Sequence, residues 1–336
     1  MVVAKPAASV AICTLPLRQR VSSFAAVDSA LDLVTTQCVA IGSSKWLLER
    51  GLGGSLWPAK SNAPEQQIAI PQTMIAALNG AFDDISRAMR LHRVWVALAH
   101  EDIGDQHRRT TLGPLWLLVN YVAFVGTFVF VFQPAGKDAA GYAAYVAIGL
   151  LVWFYLMEVM SLSVSLFQRE ESFIEGTTLP LFVYVMRLAL QSAIRAGYAI
   201  AGCLVILLLS GSPLATPWLW SLAGLFLILF ATPALITVFA FLGAFFPDSQ
   251  FIVGNLLRVG MFFTPVFWVY NGQDPIQKYA YEWNPFTYFL EIVRLPIMTG
   301  EFPAHAFTVT IIVSLATWMI ALLLLGRYRK QVIFII

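Results

Sequence analysis

Six long apolar runs dominate the sequence, and they constrain the fold more than any other feature. Each is about 20 residues or longer, enough for a helix to cross ~30 Å of hydrocarbon. The first runs from Leu112 to Phe132, directly after Arg108-Arg109-Thr110-Thr111. The others cover Gly141 to Phe167, Leu181 to Leu209, Trp218 to Phe245, Phe251 to Tyr270 and Phe307 to Gly326. A transmembrane barrel would instead show alternation in segments of about 10 residues. Composition agrees: 59% of the 336 residues are hydrophobic and 12% are charged, where a soluble domain carries about 25% charge. The expected fold class is all-α integral membrane, with six transmembrane helices.

The basic residues orient the runs. Eleven of the 21 Lys and Arg precede Leu112, while Arg327, Arg329 and Lys330 follow the last run. Positive charge near a span end is poorly translocated. Both termini are therefore expected in the cytoplasm, and an even number of spans agrees. The net charge is only +2, and no basic patch is interleaved with aromatics, so nucleic acid is not an expected partner. Cys13, Cys38 and Cys203 give neither a disulfide framework nor a zinc motif.

Two regions differ in character. Residues 1–80 are rich in Ala, Ser, Gly and Gln, and Pro58, Pro64 and Pro71 break any long helix. They read as a partly disordered cytoplasmic extension, and residues 81–336 as the transmembrane domain. From Ala81 to Ile103 the residues Phe82, Ile85, Ala88, Met89, Trp95, Val96, Ala99 and Ile103 share an arc of roughly 140° on a helical wheel. Asp83, Arg87, Arg90, Arg93 and Glu101 fall opposite. An amphipathic helix of this kind, arginines on its wet face, is expected to lie along the membrane interface. Between the last two runs, Asn271 to Ala306 is too apolar for a solvated loop. Pro285, Pro296, Gly300 and Pro303 forbid one spanning helix there. A re-entrant pair of short helices on the outer side fits best. Such pairs survive at membrane depth where protein or a wet cavity covers their ends.

Charges inside spans are costly, and each is a functional candidate. Arg187, Gln191, Arg195 and Tyr198 fall within roughly 80° on the third run, and Glu158, Ser161 and Ser165 within roughly 60° on the second. A Glu158–Arg187 ion pair is one reading. In the other, Arg187 and Arg195 line a passage and meet an anionic, phosphate-like head group, which the guanidinium fork suits. Arg258 is expected to snorkel to the inner interface. Catalytic patterns are thin. His100-Glu101 with His107 has the wrong spacing for a zinc helix, and no phosphate-binding Gly-rich loop or nucleophile elbow is present.

Three segments together resemble the membrane subunit of ABC-2 type transporters that export polysaccharides, the O-antigen and capsule permeases. The first comprises Asp102-Ile103, Arg108-Arg109-Thr110 and Leu112-Gly113-Pro114-Leu115-Trp116. The second is Pro247-Asp248 followed by Thr264-Pro265-Val266-Phe267. The third is Asn284-Pro285-Phe286-Thr287 with Glu291 and Arg294. Phe173-Ile174 and Leu179-Pro180 are similar to that family's loop between the second and third spans.

The resemblance implies a homodimer in the bacterial inner membrane, with two copies of a separate ABC ATPase beneath it. ATP and Mg would bind that partner, and this chain would hold no cofactor and no metal. Its cargo would be a lipid-linked glycan, the pyrophosphate entering near Arg187, Gln191, Arg195, Tyr198 and Glu158. Arg87, Arg90, Glu170, Glu171, Phe173, Glu175 and Asp248 would receive the ATPase's motion. Asn284, Pro285, Glu291 and Arg294 would belong to the outer gate. Two alternatives stay open: an ABC-2 exporter of teichoic-type polymers or small drugs, and a membrane-bound transferase acting on lipid-linked sugars. The transferase would use Glu170, Glu171, Glu175 or Asp248, but no His accompanies these inner-loop carboxylates.

Overall fold

The computed structural model describes residues 74–108, 110–133, 138–211, 216–270 and 272–332. All of them belong to one compact unit, Ala69–Ile336. Residues 1–73 of the expected extension, Arg109, Lys137 and Asn271 lie outside the described residues.

Among the described residues every regular element is a helix. It begins with α1 (Met74–Arg90) and α2 (His92–His107), then α3 (Leu115–Phe132) and α4 (Ala139–Val164). Two short helices follow, α5 (Leu166–Arg169) and α6 (Glu171–Gly176). Then come α7 (Leu181–Leu209), α8 (Trp218–Phe245), α9 (Ser249–Phe263), α10 (Pro275–Glu282), α11 (Pro285–Met298) and α12 (Ala304–Tyr328). Five of these, α3, α4, α7, α8 and α12, are long and apolar enough to cross a membrane. A helix that is apolar all round belongs in the middle, and α4 takes that place: 67% of its most apolar window is buried, against 11% for α3. It packs on α3, α7, α8, α9 and α11, and Val146, Ala147, Ile148 and Leu150 are fully covered.

The fifth apolar run is cut short. Helix α9 ends at Phe263, not Tyr270. Pro265 lacks an N–H and its ring disfavours helical geometry at the preceding residue. Thr264 accordingly sits at φ −88°, ψ 140°. The 15 residues of α9 fall short of the ~20 that a crossing needs. Proline is tolerated where side chains cover the carbonyls around it. Pro233 lies inside α8, where Trp318 Nε1 donates to Phe230 O at 3.1 Å. Pro296 lies inside α11, where Ser221 Oγ donates to Val293 O at 2.7 Å. The segment before α12 holds two short helices, α10 and α11, as its prolines and glycine suggest. Helix α10 buries no residue fully, while α11 buries Leu290 and Ile292 against α4, α8 and α12.

The amphipathic stretch is also divided. It bends at Leu91 (φ −85°, ψ 25°) instead of running straight from Ala81 to Ile103. The Trp95 indole spans the bend and donates to Ala88 O at 3.2 Å. Ala77, Ala81, Ala88, Ala99 and Ile103 are all buried and fall on one arc, so the bend re-aims a single face from α12 onto α7. Gly326 of α12 lets α1 come close, because a Cβ there would collide with the Ala77 carbonyl. Phe82 and Met89 stay exposed on α1.

Candidate functional site

Polar side chains gather at both ends of the helical body. The first end carries α1, α2, α5 and α6. There Arg187, in the first turns of α7, is the centre of an ion-pair node. Its Nε and Nη2 donate to Asp102 Oδ2 and Oδ1 at 2.6 and 2.8 Å, and its Nη1 to Glu170 Oε2 at 2.6 Å. Gln191, one turn on, donates to the same Asp102. The Phe173 ring lies 5.9 Å from the guanidinium. One cation thus ties α2, the α5–α6 junction and α7 together. A two-pronged guanidinium–carboxylate pair fixes orientation as well as distance. The three charged side chains are between 13% and 25% exposed. A cavity of about 280 Å³ opens beside them, lined by Asp105, Gln106, Arg169 and Tyr184 as well as the node.

The expected Glu158–Arg187 pair is not formed. Glu158 pairs instead with Arg195 Nε, while Arg195 Nη2 also reaches Ser192 Oγ at 3.3 Å. Wheel position leaves both arginines open to Glu158. Asp102 arrives from a helix 85 residues upstream and takes Arg187, which leaves Arg195 for the glutamate. Tyr198 is half-buried on the same helix.

A second device at this end docks α1. Its buried Asp84 accepts from the Phe182 N–H at 3.1 Å. That amide is an orphan donor in the first turn of α7. Burial pushes the Asp84 carboxyl above its usual range, although the Phe182 amide and the nearby Arg329 pull the other way. A groove of about 700 Å³ lies alongside, bounded by Arg87, Arg90, Ile174, Thr177, Arg329 and Lys330 among others. Arg87 is paired with Asp83 at 2.8 Å. Arg90, Glu171, Glu175 and Asp248 are exposed, and half of Phe173's surface is free.

At the opposite end Thr264 to Phe267 are buried although they are not helical. Backbone in that state must find partners. Arg294 of α11, 4% exposed, donates from Nη1 to Pro265 O at 2.7 Å and from Nη2 to Val266 O at 3.0 Å. Tyr142 hydroxyl donates to Phe267 O at 2.8 Å, and Tyr145 hydroxyl to Trp268 O at 2.9 Å. The Arg294 guanidinium carbon also sits 3.7 Å from the centre of the Tyr145 ring. Asn284 caps α11 through the Phe286 N–H and donates to Thr264 Oγ1 at 2.8 Å. Glu291, one turn before Arg294, is 8% exposed. Pro285 occupies the first position of α11, where its missing N–H costs nothing.

Asp102, Tyr142 and Tyr145 are the residues that sequence reasoning missed as site members. Asp102 had drawn notice only as part of a motif, and no motif or charge pattern singled out the tyrosines. Among the described residues no group of His, Cys, Asp and Glu has metal-ligand geometry.

Residues 93–298, more than half of the chain, match the family model described as ABC-2 type transporter. The chain belongs to the ABC-2 type transporter family. The matched region runs from α2 to the end of α11, so it contains the Arg187 node and the Arg294 contacts. The search of curated proteins returned no match. As an ABC-2 permease the chain is a multi-pass membrane component and not itself catalytic, and such a permease implies an ABC ATPase partner.

Proposed function

We propose that this permease forms the channel of an exporter for a lipid-linked polysaccharide, driven by ATP hydrolysis on a separate chain. The observation that carries the coupling half of this reading is the Arg187 node. A displacement of α2 or of the α5–α6 junction would pull on α7, because one guanidinium holds a carboxylate from each. An ATPase bound beneath can shift the conformations of the permease only by binding them with different affinity. Phe173, Glu171, Glu175, Arg87, Arg90 and Asp248 are the exposed side chains that would meet it. We take the assembly to be a homodimer with two ATPase copies, in the bacterial inner membrane with both termini cytoplasmic. In it, α9 and the segment after it would make the sixth crossing.

The glycan half rests on the three motif segments. Two of them touch: Asn284 of the third bonds to Thr264 of the second. That contact supports an outer gate built from Asn284, Pro285, Glu291 and Arg294 on the broken end of α9. With Arg187 held by two carboxylates, Arg195 and Tyr198 are the better candidates for the pyrophosphate path. Glu158 would tune the charge of Arg195.

The test is export of a lipid-linked glycan from inverted vesicles containing the permease and its co-purified ATPase. Arg187→Ala and Arg195→Ala are expected to lower export at least tenfold while the complex still assembles. Normal export by both variants removes these arginines from the mechanism. Transport of a small drug but no glycan supports the exporter of the other substrate class. A permease that purifies without any ATPase and modifies lipid-linked sugars supports the transferase.

A further inference from the structure

The break after α9 is held more tightly than a linker needs. Five consecutive carbonyls, from Thr264 to Trp268, all accept hydrogen bonds. Thr264 O takes the Val266 N–H. The other four are taken by side chains of two different helices: Tyr142 and Tyr145 of α4, and Arg294 of α11. The arginine reaches them through a gap kept for it. Gly149 of α4 faces the guanidinium, and a Cβ there would overlap Arg294 Nη2 and lie 2.6 Å from Val266 O. Val266 is fully buried by this arrangement. Beyond it the chain passes Gly272, at φ 78°, into the exposed α10. A clasped segment therefore sits directly before a more exposed one.

We propose that Tyr142, Tyr145 and Arg294 are positioning residues for transport: together they clasp the broken end of α9 against α4 and keep that end of the passage closed between cycles. The role rests on the permease reading above and adds to its gate two residues from α4. The donors are hydroxyl and guanidinium groups, which water can replace one for one when the segment swings out. Opening thus exchanges hydrogen bonds without destroying any. That suits a device that must release repeatedly.

The clasp is tested on the full chain with Cys13, Cys38 and Cys203 replaced by alanine and Val266→Cys as reporter. The rate of labelling by a membrane-impermeant maleimide is measured on the purified permease–ATPase complex without ATP. ATP-independent efflux of a small anionic dye is measured in proteoliposomes of the same variants. The parent is expected to label slowly and to hold the dye. Tyr142→Phe and Tyr145→Phe should each raise labelling about fivefold, the shift that one ordinary hydrogen bond makes in an equilibrium. The double variant and Arg294→Gln should go further, with efflux rising in the same order. If Arg294→Gln does not fold, the tyrosine variants decide alone, since each loses one oxygen and keeps its ring. Labelling and efflux at the parent's rate in the double tyrosine variant overturn the proposal, as does fast labelling with no efflux. Failure of the parent complex to export any lipid-linked glycan would strike the functional reading while leaving the clasp standing.

Discussion

At the scale of single residues, partners in space decide what each charge does. Arg187 and Arg195 lie on one face of α7, two turns apart, yet they differ in surroundings. Arg187 meets two carboxylates from separate segments, and Arg195 meets one. Asp84 is the sharper case, because it is buried and its main contact is a backbone amide. Burial holds its pKa above the unfolded value of 3.8. The fold thus favours the protonated carboxyl. Stability linked to Asp84 is fully present below the unfolded pKa and declines as pH rises through the raised one. Asp84→Asn keeps an oxygen for the Phe182 N–H and carries no charge. It is expected to preserve stability and to flatten its pH dependence across the acid range. Asp84→Leu should cost about 1 kcal/mol, the worth of a helix cap. Thermal unfolding of both variants from pH 4 to 8 checks this, and an unchanged pH profile in Asp84→Asn would refute it.

At the scale of elements, proline and its neighbours set where helices stop. Pro265 ends α9, but Pro233 and Pro296 sit inside α8 and α11. The difference lies in what each surrounding offers, since the ring removes one amide bond in every case. After α9 the carbonyls that leave the helix have Tyr142, Tyr145 and Arg294 as donors, so a non-helical backbone is stable there. Pro265→Ala restores the amide but leaves those partners in place. It is therefore expected to lengthen α9 by no more than about one turn. Hydrogen exchange of the amides from Val266 to Trp268 should change by less than tenfold. Strong new protection there would show that proline alone, and not the side-chain clasp, makes the break. The bend at Leu91 has no proline or glycine. It follows from docking, since one buried arc must serve both α12 and α7.

At the scale of the whole molecule, α4 binds the two ends together. Its Tyr142, Tyr145 and Gly149 hold the broken end of α9. Its Glu158 meets Arg195 near the other end, and α5 and α6 follow directly from it, with Glu170 at their junction and Phe173 on α6. Removing one member of a buried pair costs about 3–5 kcal/mol; here solvent reaches all three partners, so the cost is lower. The more telling test is exchange. Asp102→Arg and Arg187→Asp are each expected to uncouple ATP hydrolysis from export. The double exchange should recover part of the coupling, because the pair regains opposite signs. The ratio of ATP hydrolysed to substrate moved measures this, and a double variant no better coupled than either single one would show the pair to be mere scaffolding.

The sequence by itself determined the membrane class, the helical body, and the bounds of α7 and α8, because long apolar runs allow few alternatives in lipid. Its motifs also pointed to the family that the matched region establishes. It marked Arg187, Arg195 and Glu158 as costly positions, since charge inside apolar runs stands out, and the family resemblance marked Asn284 and Arg294. Tertiary structure alone decided who pairs with whom. Asp102 lies 85 residues from Arg187, and Tyr142 lies 125 from Phe267. No spacing along one helix encodes contacts between helices, and a tyrosine that caps a distant carbonyl reads like one that merely fills space.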